Sequence, residues 1–256
     1  MAAAHQPPTC ADGVRNLVHY GGLTLLTLIT IVLSPPLYII LRRLGGATSG
    51  QAVRRIIWVY GRAWTWLLRL MIPVRIGTGD AADYPAPCII VANHQFFFDA
   101  FCMGALPIYD LVFVVRSWPF RIPFYGPYMR RGEYLNSEHL SCDEFLDQAV
   151  QRLNNGISVI IFPEGTRSPD GQLGRFYSGA FKLSLQTGVP VIPICLRGMG
   201  DFLPRGGVWL RKASITIKKM APVFPADFKA AGPGAHLAMR KHVKALLATA
   251  LREPAE

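Results

Sequence analysis

Long and short hydrophobic runs divide the chain into two regions. Residues 16–41 are mostly apolar and contain no Asp, Glu, Lys or Arg, and the arginine pair 42–43 closes the stretch. As one helix it would measure about 39 Å, enough to cross a hydrocarbon core of about 30 Å. Pro35 and Pro36 interrupt it, however, and residues 17–33 alone would reach only about 25 Å. A helix that spans a bilayer and a kinked, half-embedded helix both remain open, and the alternative is a buried hairpin of a soluble core.

The next stretch, residues 52–71, has the pattern of an amphipathic helix. Arg55, Arg62 and Arg69 recur every seven residues and therefore lie along one helical face. Leu, Ile and Trp occupy much of the remaining surface. A basic stripe combined with Trp and Leu is typical of a helix that lies in the plane of a membrane interface. The alternative is a domain helix whose arginines face water.

Beyond residue 75, short apolar runs alternate with amphipathic segments. The runs predict strands at residues 87–92, 111–115, 157–162, 189–196 and 213–218, and the segments predict helices at residues 140–153, 178–187 and 234–252. This alternation indicates an α/β fold with a mostly parallel central sheet flanked by helices. The sequence thus predicts a flexible leader (1–13), a membrane-associated helical pair (14–75) and an α/β domain (76–256).

The charge distribution indicates which partner to expect. The net charge is +11, and residues 13–79 contain eight arginines and no acidic residue. Nucleic acid is a common partner of basic chains, but these arginines stand among Leu, Ile and Trp, without a zinc, helix-turn-helix or RNA-binding signature. We expect an anionic membrane surface and no nucleic acid. Because the arginines follow the first helix, the domain should lie on the cytoplasmic face of the membrane, the inner membrane if the organism is bacterial.

The five cysteines stand at scattered spacings without a Cys-x-x-Cys pair. This pattern favours neither a zinc site nor a disulfide framework, so we expect reduced thiols facing the cytosol. No metal and no other cofactor is expected.

A histidine and an aspartate five residues apart form the first candidate site. His94 and Asp99 belong to an Asn-His-x4-Asp run that begins at Asn93, directly after a predicted strand. In a continuous helix, positions five apart point about 140° away from each other, so a contact requires a turn. We expect the strand-to-helix junction, with Asp99 in the first helical turn. The carboxylate would hold one ring nitrogen and leave the other free as a base. The alternative is a buried histidine and a capping aspartate that do not touch.

The second candidate site follows the strand predicted at residues 157–162. It reads Phe162-Pro163-Glu164-Gly165-Thr166-Arg167-Ser168. The proline ends the strand and the glycine allows a turn. An arginine in such a turn suits a phosphate, because its planar fork engages two oxygens at once. The alternative is a structural ion pair between Glu164 and Arg167. Backbone N–H groups near His94 or Gly165 are candidates for stabilising an oxyanion.

These two blocks, followed by the apolar block Val189-Pro190-Val191-Ile192-Pro193-Ile194, resemble the glycerolipid acyltransferase family. That family includes the 1-acylglycerol-3-phosphate (lysophosphatidic acid) acyltransferases, and the resemblance covers residues 85–220. The segment from Phe176 to Gly179 also resembles the family's Phe-Lys-x-Gly stretch, with Tyr177 in place of the lysine. The resemblance implies an O-acyltransferase that moves a fatty acyl group from acyl-CoA or acyl-carrier protein to a lysophospholipid, with His94 as general base and Asp99 as its partner.

The resemblance also implies where the substrates bind. Glu164 would contact the glycerol and Arg167 the phosphate, and the remaining substrate contacts are assigned to Asn93, Gly165 and Thr166. Phe96 and Pro193 are expected to line an acyl pocket. The family usually has an Asp-Arg pair between its first two blocks, and Ser137 falls near that arginine here. Arg130 or Arg131 is then expected to bind the phosphate; otherwise the acceptor is another lysolipid, such as lyso-ornithine lipid.

Three alternatives to direct acyl transfer by this base remain at this point. One is a covalent acyl-cysteine through Cys102, one helical turn beyond Asp99. A second is a hydrolase that uses Ser168, although no Gly-x-Ser-x-Gly elbow surrounds it. A third is a catalytically silent lipid-binding module on the same fold.

Overall fold

The computed structural model describes residues 10–96, 98–166, 172–204 and 207–253. The helices are α1 (Cys10–Arg43), α2 (Ser49–Arg69), α3 (Asp99–Cys102), α4 (Tyr125–Arg131), α5 (Cys142–Asn154), α6 (Gly179–Thr187), α7 (Met199–Phe202) and α8 (Ala235–Arg252). The strands are β1 (Val74–Gly77), β2 (Ile89–Ala92), β3 (Leu111–Val115), β4 (Leu135–Asn136), β5 (Ser158–Ile161), β6 (Val191–Arg197) and β7 (Ile215–Lys219). Short 3-10 segments join several of them. The predicted strands and helices of the α/β domain are all present.

The strands form one sheet in the order β1-β7-β6-β2-β5-β3-β4. Every neighbouring pair from β6 to β4 is parallel. Strand β7 runs antiparallel to β6, and β1 pairs with β7 in parallel. The central sheet is therefore mostly parallel and flanked by helices, as the sequence predicts. Strands β1 and β4, which the hydrophobic pattern does not reveal, are short edge strands of four and two residues.

The central strand β2 packs against helices on both of its faces. Ile90 and Ala92 belong to a core shared with α2 and α3, whereas Ile89 and Val91 belong to a second core shared with α5, α6 and α8. All four side chains are buried, because a parallel strand covered on both sides has no face for water. The sheet thus separates an α2–α3 side from an α5–α6–α8 side.

Helix α1 is continuous through its proline pair and is 34 residues long, or about 51 Å. Pro35 has no N–H to donate to the carbonyl of Ile31, and the Ser34 hydroxyl donates to that carbonyl instead, at 3.4 Å. The helix begins at Cys10, so residues 10–13 are helical and do not belong to a flexible leader; residues 1–9 lie outside the described ranges. The sheet likewise begins at Val74, just before the predicted domain boundary.

Helix α1 presents large apolar side chains to the outside along most of its length, among them Leu17, Leu25, Leu28, Val32, Leu33 and Ile39. It is the one helix within the described ranges that is long and apolar enough to cross a membrane by length and composition. A few polar side chains attach it to the rest of the chain. Asn16 pairs with both backbone polar groups of Leu210, at 3.2 and 3.0 Å, and His19 is buried beside Trp64. A long apolar helix of this kind fits membrane association.

Helix α2 is half core and half surface. Trp64 and Leu68 are fully buried under the sheet, so α2 belongs to the α/β domain as much as to a helical pair with α1. Arg55, Arg62 and Arg69 are exposed on its outer side, which confirms that they share one face.

Candidate active site

His94 and Asp99 meet at the junction between β2 and α3. The distance between His94 Nδ1 and Asp99 Oδ2 is 2.9 Å. The same carboxylate oxygen accepts the backbone N–H groups of Gln95, at 2.6 Å, and Phe96, at 2.7 Å. Asp99 is the first residue of α3 and is fully buried. The predicted turn and the predicted contact are therefore both confirmed.

The contact with Asp99 determines which nitrogen of His94 is free. An ionised carboxylate only accepts hydrogen bonds, so Nδ1 carries the hydrogen and Nε2 has a free lone pair. The ring of His94 stacks on Phe162 with a centroid distance of 4.5 Å. Its side chain is 20% exposed and lines a cleft of about 490 Å³. A base with an unprotonated nitrogen at an open cleft can accept the proton of a hydroxyl.

Glu164 is tied to the backbone of the site. Its Oε1 accepts the N–H of His94 at 2.9 Å, and its Oε2 accepts the N–H of Gly174 at 2.8 Å. Burial raises the pKa of its carboxyl, and the two backbone hydrogen bonds oppose this shift. Both oxygens are thus engaged with main-chain donors, whereas the sequence predicts a contact with glycerol. These two hydrogen bonds hold the turn that carries His94, and the contact of Glu164 with glycerol stays a prediction.

Asn93 also differs from its predicted place. Its side-chain amide donates to the carbonyl of Leu196 and accepts the N–H of the same residue, each at 2.7 Å. The side chain is buried. The amide thus pairs with both backbone polar groups of one residue just beyond the β2–β6 ladder, and these contacts take the place of the predicted contact with substrate.

The predicted acyl-pocket residues lie in the core. Phe96 is buried beside Phe98, and Pro193 is buried within β6 opposite Val91. Neither lines the cleft or a smaller apolar chamber of about 100 Å³. We correct the prediction accordingly, because an apolar residue near a motif is more often part of the packed sheet than of a cavity wall.

The apolar chamber lies between α2, β3 and α4 and adjoins the cleft. Phe101, Val115, Tyr125 and Met129 line both cavities. None of these four residues belongs to a catalytic or binding motif, so the sequence analysis did not predict that they line a cavity. Their signal is weak: Phe101 stands two residues after Asp99, Val115 ends an apolar strand, and no motif covers Tyr125 or Met129.

Arg116, which sequence reasoning also missed, is an arginine at the cleft. It follows β3 and lines the cleft together with Ser137. Its guanidinium pairs with Glu138 at 2.5 Å and remains 58% exposed. Hydrogen bonds from the Ser117 backbone and from Arg116 lower the pKa of Glu138 to about 2, so the pair is ionised at neutral pH. The available signal was its position at the carboxyl end of a predicted strand, where sites of parallel sheets lie.

Arg130 and Arg131 do not take the place predicted for them. Both are exposed residues at the end of α4, and neither lines the cleft. Arg130 donates to the carbonyl of Phe120 at 2.8 Å. Met129, which precedes them near the C-terminal end of α4, lines the cleft.

The second sequence block, which begins at Phe162, also lines the cleft. Pro163, Gly165 and Thr166 all border it, and Gly165 has a φ of +67°, a value that glycine adopts without strain. Arg167 and Ser168 lie outside the described residues. The Gly165 N–H donates to the carbonyl of Phe162 at 3.1 Å, and the His94 N–H donates to Glu164, so these two N–H groups already have partners. An oxyanion site made by neighbouring N–H groups stays a prediction.

The acyl-cysteine alternative is contradicted by the surroundings of Cys102. Its thiol is fully buried, 3.8 Å from the sulfur of Met199. Burial and the nearby Asp99 charge raise the pKa of this thiol well above its usual value. A thiol without access to the cleft and without thiolate character cannot attack an acyl donor.

Comparison with known proteins finds similarity to acyltransferases. A family model described as acyltransferase matches residues 75–197. The chloroplastic 1-acyl-sn-glycerol-3-phosphate acyltransferase BAT2 of Brassica napus is 38% identical over 51% of this chain and 38% of its own length. A 1-acyl-sn-glycerol-3-phosphate acyltransferase of Pseudomonas aeruginosa is 26% identical over 73% of each chain. The chain spans less than two fifths of the length of the chloroplastic relatives that it matches.

A solved structure shares the whole architecture. The crystal structure of the 1-acyl-sn-glycerophosphate (LPA) acyltransferase PlsC from Thermotoga maritima superposes with a TM-score of 0.76 at 25% identity, over 96% of this chain and 98% of that one. The chain therefore resembles acyltransferases over residues 75–197 and shares the fold of this solved acyltransferase.

Proposed function

We propose that this chain transfers a fatty acyl group from a thioester donor to the free hydroxyl of 1-acylglycerol-3-phosphate, giving phosphatidic acid. The observation that carries the proposal is the His94–Asp99 pair at 2.9 Å beside the 490 Å³ cleft. The names of the relatives support the same reaction. Acyl-CoA and acyl-carrier protein both present such a thioester.

The reaction needs one base and no enzyme nucleophile. Nε2 of His94 accepts the proton of the acceptor hydroxyl while the hydroxyl oxygen forms a bond to the thioester carbonyl carbon. The carbon–sulfur bond of the tetrahedral intermediate then breaks, and the departing thiolate receives the proton from the imidazolium. Asp99 holds the ring and stabilises its positive charge during these two steps.

Basic and polar groups at the cleft would hold the acceptor. Arg116 is mostly exposed at the carboxyl end of β3, and its guanidinium suits a phosphate monoester. Thr166 and Ser137 border the same space. We assign the phosphate to Arg116 together with Arg167, which follows Thr166 in the chain, in place of Arg130 and Arg131.

The acyl chain would run from the cleft into the apolar chamber. Phe101, Tyr125 and Met129 stand where the two cavities meet. Burying a methylene group in such surroundings contributes about 0.8 kcal/mol. The depth of this chamber would thus select the chain length that the enzyme accepts.

The membrane would supply the acceptor. Helix α1 exposes its apolar side chains, and the outer face of α2 combines three arginines with Trp66, which is 62% exposed. This combination suits an anionic bilayer surface. By the positive-inside rule we place the domain on the cytoplasmic face.

The test is transfer from a labelled acyl thioester by purified protein, with a panel of lysolipids that includes lysophosphatidate and lyso-ornithine lipid. We expect His94→Ala to abolish transfer while membrane association is retained. His242→Ala, an exposed histidine on α8, is the matched control and should retain transfer. Appreciable turnover by His94→Ala would overturn the role of the base. Transfer to another lysolipid but not to lysophosphatidate would show that the proposed acceptor is wrong. Binding without turnover would indicate a catalytically silent lipid-binding module.

A further inference from the structure

A cluster of basic side chains covers the side of the domain opposite α1 and α2. We name it the α6–α8 basic face, and it consists of Arg175, Lys182, Arg240, Lys241 and Lys244. Helices α6 and α8 pack on the sheet face that carries Ile89 and Val91, away from the core shared with α2. The face therefore lies on the other side of the sheet from the core that packs against α2.

The helical periodicity places the α8 residues of this face together. Taking Arg240 as reference, Lys244 lies about 40° around the helix and Lys241 about 100° around it. Arg240 and Lys244 are separated by about 6 Å along the axis. Arg240 donates to the hydroxyl of Ser178 at 3.0 Å, and Lys182 stands one turn beyond Ser178 on α6. The two helices thus contribute to one continuous surface.

The charge of this face is not neutralised locally. Residues 172–200 and helix α8 contain no Asp or Glu. Among the residues that the structure describes, no ion pair involves any member of the face. Acidic residues stand at its borders: Asp227 is exposed on the 3-10 segment Pro225–Gly234, which packs against α8 and α6, and Asp143, Glu144 and Asp147 are exposed on α5, at the other side of α6. The surface around α6 is therefore basic toward α8 and acidic toward α5.

The basic face is directly connected to the catalytic cleft. Ser178, the partner of Arg240, stands between Tyr177 and Gly179, and both of these residues line the cleft that contains His94. The guanidinium of Arg175 lies over the ring of Tyr177 at 5.8 Å. A partner bound to the face would hold a flexible arm directly at the cleft opening.

We propose that the α6–α8 basic face docks an acidic carrier protein that delivers the acyl thioester into the cleft. This inference rests on the proposed acyl transfer and specifies its donor. Opposite charge favours such an encounter and orients it. None of the five residues lines either described cavity, and nucleotide groups such as those of CoA bind in concave sites. A helical surface with exposed Leu237 beside its charges (46% exposed) fits a protein partner instead.

The experiment uses the full chain in detergent, with lysophosphatidate as acceptor and two donors, acyl-carrier protein and acyl-CoA bearing the same acyl group. The test variants are the double variant Lys241→Glu/Lys244→Glu and the single variant Lys182→Glu. The matched control is Lys229→Glu, an exposed residue next to Phe228. Phe228 contacts His242, which lies about 200° around α8 from Arg240. Thermal melting checks that each variant is folded.

We expect the double variant to raise KM for acyl-carrier protein at least about tenfold at low salt. KM for lysophosphatidate should stay unchanged, and KM for acyl-CoA should change by less than about threefold. Added salt should weaken wild-type use of the carrier, because it screens the attraction. Lys182→Glu should act in the same direction, and Lys229→Glu should resemble wild type.

Three results would overturn the docking proposal. The first is an unchanged KM for the carrier in both test variants. The second is a rise in KM for the carrier with Lys229→Glu that equals the rise with the test variants. The third is a loss confined to acyl-CoA, which would indicate a nucleotide site. Reduced binding to vesicles of phosphatidylcholine and phosphatidylglycerol with unchanged carrier KM would assign the face to the bilayer. If wild-type protein uses neither donor, the proposed function itself fails.

Discussion

Replacing Asp99 with Asn should separate the charge of this carboxylate from its hydrogen bonds. A single oxygen of Asp99 accepts from His94 Nδ1 and from the backbone N–H groups of Gln95 and Phe96. An asparagine NH₂ group at this place would face two main-chain donors without an acceptor. We therefore expect the amide oxygen to occupy it, and His94 to keep its hydrogen on Nδ1. The variant then loses the negative charge, keeps the three hydrogen bonds, and places its NH₂ group where Asp99 Oδ1 is buried without a partner among the described residues.

The geometry bounds the size of the effect. Two unit charges 2.9 Å apart interact by about 6 kcal/mol at an effective dielectric constant of 20 and by about 1.4 kcal/mol in bulk water. His94 is 20% exposed, so its surroundings lie between these limits. A loss of about 2 to 4 kcal/mol in stabilisation of the imidazolium corresponds to a fall in kcat/KM of about 30-fold to about 1,000-fold.

The assay is the initial rate of thiol release from the acyl donor, measured for Asp99→Asn and Asp99→Ala side by side. The alanine variant also leaves buried N–H groups without an acceptor, at about 1 to 3 kcal/mol each, and should melt at a lower temperature. If the asparagine variant instead loses activity about 10,000-fold or as completely as the alanine variant, the histidine tautomer is not preserved and the reasoning from Gln95 and Phe96 is refuted.

Three further substitutions test other parts of the structure. Arg116→Ala should raise KM for lysophosphatidate about tenfold, and a rise confined to donor KM would exclude its phosphate role. Gly104→Ala would place a methyl group 2.2 Å from the backbone of Gly61; we expect destabilisation of about 2 kcal/mol by thermal melting, whereas Gly200→Ala, which faces open space, should melt like wild type. Asn93→Ala leaves the buried N–H and C=O of Leu196 unpaired and should cost about 2 to 4 kcal/mol of stability; lost activity at unchanged stability would restore the substrate contact for Asn93.

Local patterns predicted most of the α/β domain. Strand β3 has the predicted bounds of residues 111–115, and α5 lies within two residues of its predicted start, capped by the hydroxyl of Ser141, which accepts from the N–H of Glu144. The meeting of His94 and Asp99 was also predictable, because a spacing of five excludes a continuous helix and leaves a short list of turns. These features depend on neighbours in the sequence, which a pattern records directly.

Side-chain partners that come from distant parts of the chain were not predictable. Asn93 finds its partner 103 residues away, and Glu164 finds His94 at a separation of 70. The sequence around a polar motif residue is the same whether its side chain binds a substrate or a backbone group of another strand, so it does not reveal the partner. The proline pair in α1 was misleading for a similar reason: Ser34 provides a donor that a helix-breaking rule does not consider.

Under the proposed function, the position of His94 at the end of the central strand suits a base that serves two substrates of opposite character. The cleft takes Phe101, Tyr125 and Met129 from the side of the sheet that carries α2, and Tyr177 and Gly179 from the side that carries α6. A base placed on either face alone would meet only one of these surfaces. At the carboxyl end of β2 the two surfaces converge, so the proposed lipid acceptor and the proposed thioester donor would reach the same imidazole from different sides. The turn held by Asp99 and Glu164 fixes the ring at that convergence.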